Sequence, residues 1–285
     1  TADAGSDLVI CFGKNTTLSS AGGSSYLWSD ASTDQNHTVS PLVSTTYTLT
    51  VTNGASCTDT DEAIVTVNAN PTAAIAGSNA ICIGKSVALT ASGGTSYLWD
   101  EGDVTAAIAK SPVADITYTV TVYNAATCTD TESFAVTVNA VPTVDAGSNA
   151  TICAGKSATL SGDGNGTYAW SNGSTTQNIT VSPGSSTTYT LTITNGSACT
   201  TTDEAIVTVN AIPTLSADAD KAICIGKSTA LNASSNGTYE WTTTETTASI
   251  TVSPIINTTY GLTVTNVALC TNTEEIIVSV NPVPT

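Results

Sequence analysis

The sequence predicts an all-β chain of four tandem small sandwich domains arranged as an extended rod. Three observations predict it: a strict 71-residue repeat, hydrophobic alternation of period two without helical periodicity, and cysteines that recur in step with the repeat. One cysteine series runs Cys11, Cys82, Cys153, Cys224 and a second runs Cys57, Cys128, Cys199, Cys270. Trp28, Trp99, Trp170 and Trp241 keep the same interval, as do two tyrosine series that begin at Tyr26 and Tyr47. The domain boundaries follow as residues 1–71, 72–142, 143–213 and 214–285. Thr1, Thr72, Thr143, Thr214 and Thr285 share one phase, so the chain reads as four periods of a longer array. It carries no apolar run of membrane-spanning length and no signal peptide, and targeting information is expected outside the window.

Each repeat supplies its strands in the same order. "SATLSG" and "SYLWS" are two short strands; in the second, Tyr26 and Trp28 share a face while the residue between them becomes Leu27, Leu98, Ala169 and Glu240. A position that accepts Glu faces water, so the four tryptophans face inward as the core aromatics. "TTYTLTVTN" alternates Tyr47, Leu49 and Val51 against Thr48, Thr50 and Thr52, and "AIVTVN" continues the pattern through Val65 and Val67. Asn-Gly at 53 and 195, Pro at 41, 112, 183 and 254, and Gly-Lys at 13, 84, 155 and 226 punctuate the strands. The connections "VNANPTAAIAG", "VNAVPTVDAG" and "VNAIPTLSAD" contain a proline and no Gly/Ser tract, which predicts short, stiff junctions.

About seven short strands with a central Trp and a Tyr-led late strand describe a small sandwich. The segments "DAGSDLVICFGKNTTLSS", "SYLWS", "TVSP", "TTYTLTVTNGASC" and "DEAIVTVN", with their equivalents in every repeat, resemble the immunoglobulin-like and PKD-like repeat domains of large secreted Bacteroidota surface proteins. The resemblance covers essentially the whole chain. It implies an immunoglobulin-like fold and an extracellular or cell-surface setting of the adhesin or gliding-motility type, and leaves function open because such domains usually serve as spacers.

The chain departs from antibody-type domains in its cysteines, which fall at loop positions rather than between the sheets. Eight of them, with one histidine and no CxxC, point to disulfides formed in an oxidising compartment. One pairing is local: Cys11–Cys57, Cys82–Cys128, Cys153–Cys199 and Cys224–Cys270, each closing a loop that stabilises a thin-cored domain by roughly 3–4 kcal/mol. In an immunoglobulin-like sandwich, however, the turn before the second strand and the final hairpin lie at opposite ends, ~20 Å apart, whereas a disulfide needs Cα atoms within about 7 Å. The other pairing staples stacked domains: Cys11–Cys128, Cys82–Cys199 and Cys153–Cys270, with Cys57 and Cys224 left for neighbours. Topology favours the staples.

Charge excludes one class of partner. With 23 acidic residues against six lysines and no arginine, a net of −17, the chain has no basic patch for a phosphate backbone, so nucleic acid is not expected. Charged residues form 10% of the chain, and Ser and Thr close to a third, which suits an extracellular β-protein. The acidity would keep Thr-rich sheets from associating.

Catalysis is not expected. His37, the single histidine, takes the phase of Ile108, Ile179 and Ile250, and the abundant hydroxyls lack a base. Asp61, Glu132, Asp203 and Glu274 share a phase just past the second cysteine and are weak calcium candidates, but no Asp-x-Asp-x-Asp-Gly loop accompanies them. A solvated acidic hairpin is the plainer reading, and no cofactor is expected. The expected function is the disulfide-stabilised shaft of an extracellular filament or cell-surface adhesin, whose partners are neighbouring repeats of the same array and, in self-assembly, further copies. The alternative is an array of binding modules whose loops recognise a glycan or protein. The scarcity of aromatics beyond the recurring Tyr and Trp series favours the shaft.

Overall fold

A computed structural model describes residues 1–283. The first repeat contributes β1 (Leu8–Cys11), β2 (Thr16–Ser19), β3 (Ser25–Trp28), β4 (Asn36–Val39), β5 (Thr45–Thr52) and β6 (Thr58–Asn68). They form a four-stranded sheet, β1-β6-β5-β3, facing a two-stranded sheet, β2-β4. The first-strand region is split: Asp3 bridges to Ala21 beside the small sheet, after which β1 crosses to run parallel to β6. All other pairings are antiparallel. This strand order, with the first strand shared between the sheets, is that of an immunoglobulin-like sandwich. It recurs in the other three repeats, where a short entering strand such as Ala74–Gly77 pairs with Val87–Ser92.

Four hydrophobic clusters form, each built from one repeat. The period-two pattern is their cause. In β5 the inward residues Tyr47, Leu49 and Val51 are buried while the intervening threonines are half-buried. Trp28, Trp99, Trp170 and Trp241 are between 1% and 3% exposed. Each indole Nε1–H donates to a backbone carbonyl six residues on (Asp34, Thr105, Thr176, Thr247) at 2.9–3.0 Å, so the largest core side chain is buried without an unpaired donor. Leu27, Leu98, Ala169 and Glu240 face outward.

The chain divides into two compact units, residues 1–140 and 141–285, each holding two sandwiches. No helix among the described residues is long and apolar enough to cross a membrane.

Candidate functional site: the cysteine joints

The two cysteine series sit at opposite ends of the sandwich because of one strand. The parallel register sets Cys11, the last residue of β1, opposite Asn68, the last residue of β6. Cys57 immediately precedes β6, which is 11 residues long, so the two cysteines of one repeat are roughly 35 Å apart. The local pairing Cys11–Cys57, Cys82–Cys128, Cys153–Cys199, Cys224–Cys270 is therefore not the one formed, and the separation exceeds the ~20 Å expected from a shorter strand.

Within residues 1–140, Cys11 is bonded to Cys128, with Cα atoms 5.5 Å apart. Within residues 141–285, Cys153 is bonded to Cys270 at 5.6 Å. Each bond links the end of one sandwich to the beginning of the final strand of the next, across 117 residues of sequence. Cys82 and Cys199 are also disulfide-bonded. Cys57 and Cys224 differ from the other six cysteines in being free and exposed thiols.

The second cysteine of each repeat is presented by a five-residue Asn-x-x-x-Cys turn between the last two strands. In repeat 2 the Asn124 Oδ1 accepts the backbone N–H groups of Ala126 and Cys128, both at 3.0 Å, and the Asn124 N–H donates to the Cys128 carbonyl. The residue before the cysteine is left-handed in all four turns: Ser56, Thr127, Ala198 and Leu269 have φ between 58° and 63°. This is the three-residue hairpin loop in which a type I turn is closed by an αL residue. The Asn carboxamide also reaches out of its own domain. Asn124 Nδ2–H donates to the Ala69 carbonyl and Asn266 Nδ2–H to the Ala211 carbonyl, both at 2.8 Å, in the segment arriving from the preceding sandwich.

Two covalent connections, the peptide linker and the disulfide, thus hold the sandwiches of one unit, with a hydrogen bond beside the disulfide. A single linker permits swivelling; a second covalent tie at a separate point removes it. In repeat 2, Gly93, at φ +99°, seats the linker, since any Cβ there would overlap the Thr72 carbonyl oxygen. In repeats 3 and 4 the Asn165 and Asn236 Oδ1 atoms accept the N–H of Thr143 and Thr214.

The acidic phase past the second cysteine has a local task that the sequence did not reveal. Asp61 and Asp203 each accept a backbone N–H from the entering strand, Ala4 and Ala146, at 2.8 Å, and in repeat 2 Asp130 does the same for Ala73 at 2.9 Å. Among the described residues, no three His, Cys, Asp or Glu side chains converge as a metal site would require, and Asp61, Glu132, Asp203 and Glu274 lie in four separate sandwiches. Glu274 instead edges a shallow, open groove of about 720 Å³ with Glu240, Thr244 and Gly261.

His37 lies against Trp28 and Tyr47, with ring centroids 5.8 and 6.1 Å away, in the slot that isoleucine fills elsewhere. Its Nε2 contacts Asp30 Oδ2 at 2.6 Å, a partner the repeat comparison could not show because only the first repeat has Asp at that phase. Burial pushes the Asp30 carboxyl up, but hydrogen bonds from His37 and the Ser32 N–H outweigh it and hold the group below its usual range. In repeat 2, the Asp103 and Glu101 carboxylates bind Lys110 at 2.6 and 2.8 Å and raise its pKa.

No protein-family profile matches the chain, and no curated protein matches it. Among solved structures it is similar to tandem Ig-domain proteins. These include the eight N-terminal Ig domains of Down Syndrome Cell Adhesion Molecule, with 13% identity over 97% of this chain and 47% of that one, at a TM-score of 0.32. A three-domain I-band fragment of titin gives 13% identity over 72% and 96% of the two chains, at a TM-score of 0.37. The insect immune protein hemolin gives 14% identity over 98% of each, at a TM-score of 0.30. The chain spans about half the length of the first of these. The fold assignment rests on the strand order and register described above.

Proposed function

We propose that this chain is a non-catalytic, extracellular shaft in which each immunoglobulin-like domain is riveted to a neighbour, so that it projects another domain or builds a filament. The observation that carries the reading is that Cys11–Cys128 and Cys153–Cys270 join sandwiches instead of clasping one. A disulfide meant only to stabilise a thin core would close within a domain. One that ties adjacent domains restricts their relative motion, which a shaft needs and an enzyme or a flexible tether does not. Disulfides of this number belong in an oxidising compartment. Small-angle scattering tests the shaft. Four sandwiches of about 35–40 Å predict a rod with a maximum dimension of ~150 Å, and a compact or broadly disordered particle would overturn it.

A further inference from the structure

We propose that the fourth sandwich carries, on the outward face of its four-stranded sheet, a docking groove for an extended polypeptide segment bearing lysine or arginine. The register lays three rows across that face: Thr238 beside Thr265, Glu240 beside Thr263 and Thr273, and Thr242 beside Gly261 and Glu275. The last two rows line the groove of about 720 Å³. A second hollow of about 620 Å³ continues it along the first row and shares Glu240 and Thr244 with it. The corresponding hollows beside Leu27 and Leu98 in repeats 1 and 2 are about 360 and 290 Å³.

The other repeats serve as internal controls, and three departures from them coincide at this groove. Gly261 stands where Thr48, Thr119 and Thr190 stand, and its missing side chain deepens the hollow. Glu240 stands where Leu27, Leu98 and Ala169 stand, and brings charge to an apolar position. Thr244 takes the left-handed turn position held by Ala31, Gly102 and Gly173; at φ 77° that backbone is costly for a β-branched residue, and it sets a hydroxyl-bearing wall where the two hollows meet. The change at 261 also releases a carboxylate. Glu62 and Glu204 accept the hydroxyls of Thr48 and Thr190 at 3.2 and 3.3 Å, whereas Glu275, paired with Gly261, has no such donor across the strand. No lysine lines either hollow.

Charge complementarity selects the occupant. Two outward carboxylates without a cation favour a basic segment, and a chain of net charge −17 draws such a segment in while repelling a second copy of itself. Three rows span ~14 Å, the length of about four extended residues. The threonine hydroxyls between the carboxylates both donate and accept, which suits the amide groups of a backbone. A sugar ring would stack on an aromatic face, but Tyr239 and Trp241 of this strand are turned into the core.

The groove belongs to one face of one sandwich, so its test is independent of the disulfide joints. The whole chain is titrated into a fluorescein-labelled hexapeptide of alternating threonine and lysine at about 0.15 M salt, with anisotropy as the readout. Carbodiimide crosslinking and peptide mapping then locate the bound peptide. The expected result is saturable binding, crosslinks concentrated on Glu240 and Glu275 among the 23 acidic residues, and no binding of the same peptide with glutamate in place of lysine. Glu240→Leu with Glu275→Ser installs the residues that repeat 2 carries there, Leu98 and Ser133, and should weaken binding at least ~tenfold. Glu62→Ser with Glu204→Ser removes the same charge elsewhere and should leave binding unchanged. Equal weakening by the two pairs, or crosslinks spread over the acids of all four sandwiches, would reduce the binding to diffuse attraction and overturn the groove, as would no binding at all. Displacement of the peptide by an equal concentration of spermidine would overturn a polypeptide as the occupant.

Discussion

Pulling the chain by its ends tests the joints through their covalent topology alone. Load entering at Thr1 reaches Cys11, crosses to Cys128, continues to Cys153 and crosses to Cys270, so residues 12–127 and 154–269 lie outside the loaded path. Each disulfide shields 117 peptide steps, or ~400 Å of chain at about 3.4 Å per residue. The oxidised chain can therefore extend to only roughly 170 Å, even with every sandwich unfolded, whereas the reduced chain reaches roughly 970 Å. Single-molecule force spectroscopy with and without a thiol reductant reads this directly. Four unfolding steps in the oxidised chain, one per sandwich, would refute the joints, because with local clasps or absent bonds each domain releases its own stretch of chain.

Other perturbations report on the parts. Removing one joint as the pair Cys11→Ser and Cys128→Ser opens a loop worth about 5 kcal/mol in the chain-entropy account. Calorimetry should show the first two sandwiches melting at least roughly 10 °C lower; an unchanged transition would argue that the bond adds nothing to the fold. Trp170→Ala empties the centre of the third core and should cost about 3–5 kcal/mol in denaturant unfolding, with the Thr176 carbonyl losing its donor. Leu269→Asn relieves a left-handed φ of 61° at an 80% exposed side chain and should stabilise the fourth sandwich by up to about 1 kcal/mol. The Asp30 carboxyl is held below its unfolded value, so its contribution is present above about pH 3.9 and is lost as pH falls through the lowered folded value. Acid unfolding of the first sandwich should begin below about pH 4, and Asp30→Asn should flatten that dependence while lowering stability at neutral pH.

Much of this architecture was legible because the repeat multiplies every local signal by four. A single "SYLWS" is ambiguous, but Glu240 standing where Leu27 and Leu98 stand identifies the outward face, and with it the buried tryptophans. The cysteine geometry was legible for the same reason: a strand of ~20 Å between the two series already forbids a local bridge, and at 11 residues it does so by a wider margin. What the sequence hid were contacts made by exceptions to the repeat or by backbone. Asp30 and His37 meet in one domain only, so no periodicity announces them. The carboxylates of Asp61 and Asp203 receive N–H groups 57 residues away, from Ala4 and Ala146. That pairing depends on where the entering strand crosses between sheets, and side-chain alternation does not encode it. The Asn carboxamide that reaches the preceding linker is likewise a tertiary choice, since Asn in a hairpin is already explained by its own turn.

The most direct test is non-reducing peptide mapping of the oxidised chain. The riveted architecture predicts crosslinked peptides Cys11–Cys128 and Cys153–Cys270 that disappear on reduction; recovery of Cys11–Cys57 or Cys153–Cys199 would contradict it.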